Sequence, residues 1–223
     1  MQPYPGERVW IKGSQVVTGW VKDGTLPRWY APWDRKFDPL GDENCSGGSP
    51  GCDLDPRFPE AKYKDMAYFN GKTMKQEDSL SGLSAGEFWV DTIGQKIYVG
   101  TDPTAPGIVV EATAFDHAFL IEKGANNATG SAGSIVRGIG FAHYANFVIG
   151  VVVPNVVLEN NSFVWNAIGI VDINGRTATD GRYCTVRNNI ISYNGHHGLG
   201  GIGHTGLLIE GDRCANRKQC GTL

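Results

Sequence analysis

Between Ser134 and Asp212 apolar and polar positions alternate in short bursts, and one phrase recurs. Val156-Val157-Leu158-Glu159-Asn160-Asn161-Ser162-Phe163 returns as Cys184-Thr185-Val186-Arg187-Asn188-Asn189-Ile190-Ile191 at an offset of 28 residues, and the offset carries on from Trp165-Asn166 to Tyr193-Asn194. A weaker copy precedes it, Ile135-Val136-Arg137-Gly138-Ile139-Gly140-Phe141, with Val136 lying 22 residues before Leu158. Another follows, Leu208-Ile209-Glu210-Gly211-Asp212, at an offset of 23 if Ile209 falls on Val186. Self-similarity at about 20–50 residues marks units that stack, each sharing its core with its neighbours. Within a copy, period-2 alternation points Val156, Leu158, Cys184 and Val186 inward, and Val157, Glu159, Thr185 and Arg187 outward. The Asn-Asn pair that follows suits a tight turn, because Asn tolerates the left-handed backbone. Stacked in register, Asn160 and Asn188 would form a ladder of side-chain amides that satisfies buried polar groups. A second strand, Ile190-Ile191-Ser192-Tyr193, then runs into a turn at Asn194-Gly195.

Residues 6–22 show brief alternations broken by Gly and read as two strands. Residues 23–64 carry Trp29, Tyr30, Trp33, Phe37 and Phe58 among Pro, Asp and Gly with no period, which predicts a long irregular loop anchored by aromatics. Strands resume at Met66-Ala67-Tyr68-Phe69, which ends on the hairpin signal Asn70-Gly71. Glu87-Phe88-Trp89-Val90-Asp91 and Lys96-Ile97-Tyr98-Val99 make a second hairpin about Ile93-Gly94, and Ile108-Val109-Val110-Glu111 closes the region. Ala118-Phe119-Leu120-Ile121-Glu122 returns to the repeating pattern, and no segment offers an amphipathic helix of about ten residues. The predicted organisation is a first strand of the repeating unit in 1–13, an inserted antiparallel β subdomain over 14–111, and the repeating coils over 112–223.

The chain has 223 residues, room for one large domain or two small ones. Twenty basic against 23 acidic residues leave a net charge of −3, so there is no basic footprint for nucleic acid. No apolar run reaches the length of a membrane span. Thirty-one Gly with only 19 % charged residues suit a protein of strands and turns. Met1-Gln2-Pro3-Tyr4-Pro5-Gly6 contains no apolar leader, which fits either an intracellular protein or a mature segment. Cys45 and Cys52, and Cys214 and Cys220, each flank a short loop that a disulfide would close; free thiols or a metal site are the rival readings. Cys184 stands at an inward position and reads as a small buried apolar group.

One set of segments has a wider likeness. It comprises Tyr4-Pro5-Gly6-Glu7, residues 13–20, Phe69-Asn70-Gly71-Lys72, Phe88-Trp89-Val90-Asp91, Ile97-Tyr98-Val99-Gly100, Val136-Arg137-Gly138-Ile139-Gly140-Phe141, Val186-Arg187-Asn188-Asn189 through Asn194-Gly195, and Gly198-Leu199-Gly200-Gly201. Together they resemble the secreted bacterial right-handed parallel β-helix repeat proteins of the pectate-lyase-like superfamily. The resemblance implies an all-β fold, a right-handed parallel β-helix (solenoid) with an inserted antiparallel β subdomain. It also implies an extracellular or cell-surface location and polysaccharide as the partner. Lyases of this kind combine carboxylate-bound Ca²⁺ with an Arg or Lys base, and hydrolases use paired carboxylates. This chain departs from the pattern by starting abruptly and by turning polar from Asp212 to Cys220, with Arg213 where the preceding copy has Ile190. A partial chain is the expectation, with a polar capping segment as the alternative. An exposed last coil would favour end-to-end self-association.

Candidate chemistry concentrates in the later copies. Asp172, Asp180 and Arg182 lie in a stretch read as a long turn, where a carboxylate set with an Arg would serve lyase or hydrolase chemistry; Asp and Gly in a turn also need no function. His196 and His197, with His204 one loop on, would act as general base or metal ligands, against the plainer reading of a solvated Gly-rich turn. Trp29, Tyr30, Trp33, Trp165 and Tyr193 would stack on sugar faces or simply pack, Trp165 and Tyr193 holding equivalent repeat positions, and His196 joins Trp165 and Tyr193 as a substrate-binding candidate. Asp38, Asp42, Glu43, Asp53 and Asp55 form an oxygen-rich stretch that would hold Ca²⁺ or lie solvated. Asn44, Asn127 and Asn160 match glycosylation sequons, with a ladder position arguing against modification of Asn160. The expected function is a secreted protein acting on polysaccharide, as lyase or glycoside hydrolase. The alternatives are a non-catalytic glycan-binding or surface module, or a fragment without its active site.

Overall fold

The computed structural model describes residues 1–37, 63–123, 130–168, 171–174, 181–195, 198–202 and 205–214. These residues are all-β, with a single 3₁₀ turn at Leu80–Gly82. The chain divides into two compact units, Met1–Gly13 with Phe115–Leu223, and Ser14–Ala114. The chain opens with β1 (Val9–Lys12) of the first unit and then builds the second.

The second unit holds β2 (Ser14–Val16), β3 (Val21–Lys22), β4 (Trp29–Pro32), β5 (Ala67–Phe69), β6 (Lys72–Thr73), β7 (Lys75–Gln76), β8 (Glu87–Asp91), β9 (Lys96–Val99) and β10 (Val110–Thr113). One sheet has the order β2-β10-β5-β6 and is antiparallel; the other runs β3-β4-β9-β8-β7 and is antiparallel except for the parallel pair β7–β8. Asn70 and Gly71 join β5 to β6 with φ of 49° and 74°, the two left-handed residues that a tight hairpin matching the strand twist requires. Between β8 and β9 the Asp91 carboxylate accepts the amides of Ile93 and Gly94 at 3.2 and 2.8 Å. Trp29–Pro32 is a strand, not the loop its composition suggested. Ala31 packs with Phe88, Ile97 and Val99 while Tyr30 faces away, an alternation too short to read among so many aromatics. Residues 38–62, with Phe58 and the acidic stretch, lie outside the described residues.

The first unit resumes with β11 (Phe119–Ile121), β12 (Ile135–Arg137), β13 (Ile139–Ala142), β14 (Ile149–Val151), β15 (Val157–Glu159), β16 (Ser162–Val164), β17 (Val171–Asn174), β18 (Thr185–Arg187), β19 (Ile190–Ser192), β20 (Leu199–Ile202), β21 (Leu208–Glu210) and β22 (Arg213–Cys214). They form three parallel sheets, β11-β14-β17-β20, β12-β15-β18-β21 and β1-β13-β16-β19-β22. The chain visits the sheets in rotation, three strands to a circuit. β1 pairs with β13, so a strand from the far end of the sequence forms the edge of the third sheet.

Registers equate Val136, Leu158, Val186 and Ile209, and likewise Phe141, Phe163 and Ile191. These columns are the core. Phe141 and Phe163 stack at 5.2 Å and 13°, both fully buried.

Each circuit turns its corners on single residues with positive φ. One column is Gly138, Asn160, Asn188 and Gly211, and another is His143, Trp165 and Tyr193. This corrects the expected ladder. Asn160 and Asn188 spend their conformational tolerance on the corner and stay exposed, while the second Asn of each pair turns inward. The Asn161 amide N–H and Nδ2 donate to Asn189 Oδ1 at 2.9 and 3.1 Å, and Nδ2 also reaches the Val136 carbonyl at 3.0 Å. A second ladder joins Asn166 to Asn194 at 3.0 Å. Both are nearly buried, so each amide there satisfies backbone that water cannot reach. Asn160, exposed, thereby loses the argument against its sequon. Outside the core, Glu159 is covered by Arg187, at 2.6 Å, and by Arg137, at 3.6 Å, its two neighbours in register.

Cys184 is a buried free thiol that burial pushes above its ordinary value. The proposed Cys45–Cys52 and Cys214–Cys220 pairings involve side chains outside the described residues.

Candidate functional site

In β1 Val9 and Ile11 pack against the core, so alternation turns Arg8, Trp10 and Lys12 to the outer face of the third sheet. Register then builds an outward column of Trp10, Gly140, Ser162, Ile190 and Arg213. Gly140 has no side chain to oppose Trp10, and the indole lies across it. A Cβ at Gly140 would fall 2.4 Å from Trp10 Cδ2 and 2.5 Å from Cε3. Gly inside a strand marks such a close approach. The indole remains 51 % exposed. It forms one wall of a groove of about 390 Å³ bordered by Glu7, Arg8, Asn160, Ser162 and Ile190, with Gly140 in its floor. An apolar ring face beside a carboxylate, a guanidinium, an amide and a hydroxyl offers both kinds of contact that a polar ring-shaped molecule makes.

No protein-family model matches the chain, and no curated protein matches it either. Among solved structures, that of XylC in complex with xylose aligns with a TM-score of 0.67 and 17 % sequence identity, covering 93 % of this chain and 43 % of XylC. The chain shares its fold with XylC. It spans less than half the length of XylC.

The residues singled out in the sequence fall differently. Trp165 and Tyr193 do meet, with ring centroids 4.6 Å apart and planes 6° from parallel, each on a left-handed corner with φ of 57°. One face of each ring is therefore taken by the other, while Trp165 stays 41 % and Tyr193 61 % exposed. The stack joins two neighbouring circuits. Asp172 lies in β17 and not in a turn, at the position alternating with buried Val171 and Ile173. Its register partners are Gly150 on one side and Gly200 on the other. Arg182 sits at the corner before β18, where its carbonyl accepts the Asn155 amide at 2.9 Å. Asp180, His196, His197 and His204 lie outside the described residues. Among the described residues no three His, Cys, Asp or Glu side chains group as metal ligands. No described helix is long and apolar enough to cross a membrane.

Sequence reasoning missed the Trp10 groove. Its one local signal is Gly140, which stands where the later copies have Ser162 and Ile190. The other half, Trp10, is separated from it by the whole second unit.

Proposed function

We propose that this chain is part of a secreted polysaccharide-active protein. In this reading its three parallel sheets wind as a right-handed parallel β-helix, and its sugar-binding surface is the Trp10 groove. Right-handed winding is supported by the strong preference of parallel strand connections for that hand, about 98 % of cases. The observation that carries the functional reading is the indole laid across Gly140 at the wall of the groove. There the C–H face of a pyranose would stack on Trp10, and its hydroxyls would exchange hydrogen bonds with Glu7, Arg8, Asn160 and Ser162. XylC, of the same fold, was solved with xylose, which supports carbohydrate as the ligand class.

Lyase or glycoside hydrolase chemistry is assigned to Asp172, with Asp180, Arg182, His197 and His204 as its partners. In register Asp172 stands between Gly150 and Gly200, with the Leu120 side chain lying over Gly150. A second reading is favoured by the groove itself. Among the described residues it offers a single carboxylate, Glu7, where glycoside hydrolysis uses two, so this face would bind without cleaving.

The deciding experiment offers neutral and acidic polysaccharides, with Ca²⁺ and with chelator, and reads reducing ends and unsaturated products together. Unsaturated product that disappears with chelator would establish a lyase, and reducing ends alone a hydrolase. Binding without either product would establish the binding module. Trp10→Ala should abolish retention on the bound polysaccharide; retention equal to wild type would remove the groove from the account.

A further inference from the structure

The second unit has a pocket of its own. In β8 Phe88 turns into the core, almost fully buried, and leaves Trp89 on the opposite face. Across that face Tyr30, Tyr98 and Trp89 stand in register on β4, β9 and β8. The ring of Tyr98 is 5.6 Å from Tyr30 and 5.4 Å from Trp89, so Trp89 is braced by the row. Trp89 also borders a pocket of about 280 Å³ whose polar wall is Asp65, Gln76, Glu77, Asp91 and Thr92. That volume is near the lower end for small-molecule sites, about 300–1,000 Å³, and suits one ring and not a chain.

Among the described residues the polar wall is made of acids, an amide and a hydroxyl, with no Lys, Arg or His in its lining. Two of its three carboxylates are already engaged. Glu77 pairs with Lys75 at 2.7 Å, and Asp91 holds the amides of Ile93 and Gly94. Nearby, the Tyr63 hydroxyl donates to Asp78. Asp65 differs, for its side-chain partner is the neutral Gln76 amide, and burial pushes its carboxyl up to about 6. A ligand suited to this wall brings hydrogen-bond donors to Asp65, has an apolar face for Trp89, and needs no positive charge, since Lys75 already serves Glu77.

We propose that this pocket binds a single pyranose ring, its C–H face against Trp89 and a hydroxyl donated to Asp65. The site is separate from the Trp10 groove and does not depend on it. Hydrogen bonds to a charged acceptor are the stronger kind, so the ionised form of Asp65 is the binding form. Affinity should then fall as the pH is lowered through about 6.

The test uses the full chain labelled with ¹⁵N, titrated with D-xylose and with D-glucose. It follows the indole N–H signals of Trp89 and Trp10, assigned with Trp89→Phe and Trp10→Phe. The Trp89 signal should move saturably with sugar in the wild type and equally in Trp10→Ala. Asp65→Asn, which keeps the size of the side chain and whose folding is checked by its melt, should weaken that response about tenfold and flatten its pH dependence. A Trp89 signal unmoved by saturating sugar would overturn the proposal, as would a response lost in Trp10→Ala or a wild-type affinity independent of pH. A stronger response to choline than to either sugar would also overturn it, making the pocket a cation site. Each of these outcomes leaves the Trp10 groove to be judged by its own signal.

Discussion

Asp212→Asn should stabilise this protein at neutral pH. Asp212 stands at the third step of the ladder that begins with Asn161 and Asn189, and its Oδ1 accepts the Asn189 amide N–H at 2.6 Å and Nδ2 at 2.9 Å. Its Oδ2 is buried and has no partner among the described residues. At the two preceding steps the atom in that position is Nδ2, which donates to the carbonyls of Val136 and Leu158, each at 3.0 Å. Register carries the same position to the Val186 carbonyl, so a carboxylate oxygen stands where an N–H belongs. Burial accordingly raises the Asp212 carboxyl above its ordinary value of 3.8, against the lowering effect of the bonds from Asn189. An acid raised on folding contributes stability below its unfolded value and loses it as the pH climbs through the folded one.

The substitution supplies the missing donor and removes a buried orphan acceptor. One net hydrogen bond is worth about 1 kcal/mol and an unsatisfied buried group costs about 1–3. Because Asp212 is only half-buried, we expect about 1–2 kcal/mol at neutral pH, or roughly 2–6 °C in Tm for a chain of this size. As the pH falls and the wild-type carboxyl takes up the proton that lets it donate, the advantage should shrink. Thermal melts of both proteins at about pH 4 and pH 7.5 decide it. A neutral-pH Tm equal to or below wild type would refute the reasoning, and so would an equal gain at both values.

Other changes probe the same architecture. Asn189→Ala removes the acceptor used by Asn161 and the donor used by Leu158, and should cost about 3 kcal/mol in urea titrations. Phe163→Ala empties the centre of the stacked column and should cost about 3–5 kcal/mol by the same measurement. Gly140→Ala should displace the Trp10 indole, because its Cβ would fall 2.4 Å from the ring; polysaccharide retention should drop while the melt shifts by about 1–3 kcal/mol. Trp165→Ala should leave retention unchanged and lower stability by about 1 kcal/mol, the value of an exposed aromatic pair.

The repeat phrases determined by themselves which side chains enter the core. Val156, Leu158, Cys184 and Val186 are all buried, and the offsets read from the chain are the registers found between strands. This works because period-2 alternation is a local property of an extended backbone, and a stacked unit repeats it. The hairpin at Asn70-Gly71 was legible for a similar reason, since its chemistry is contained in two residues. Which Asn of each pair forms the ladder was not legible. Both fit either role, and only the placement of the left-handed corner makes Asn160 the turn and Asn161 the ladder. The strand around Asp172 was hidden too, because Gly150 and Gly200, which flank it, lie in other circuits. Both candidate sites belong wholly to the tertiary structure. Trp10 reaches Gly140 because β1 pairs with β13, far from it in the chain, and Gln76, the side-chain partner of Asp65, is set beside the residue before Trp89 by the parallel pairing of β7 with β8. Alternation along a strand says which way a side chain points; only the pairing of distant strands says what it meets there.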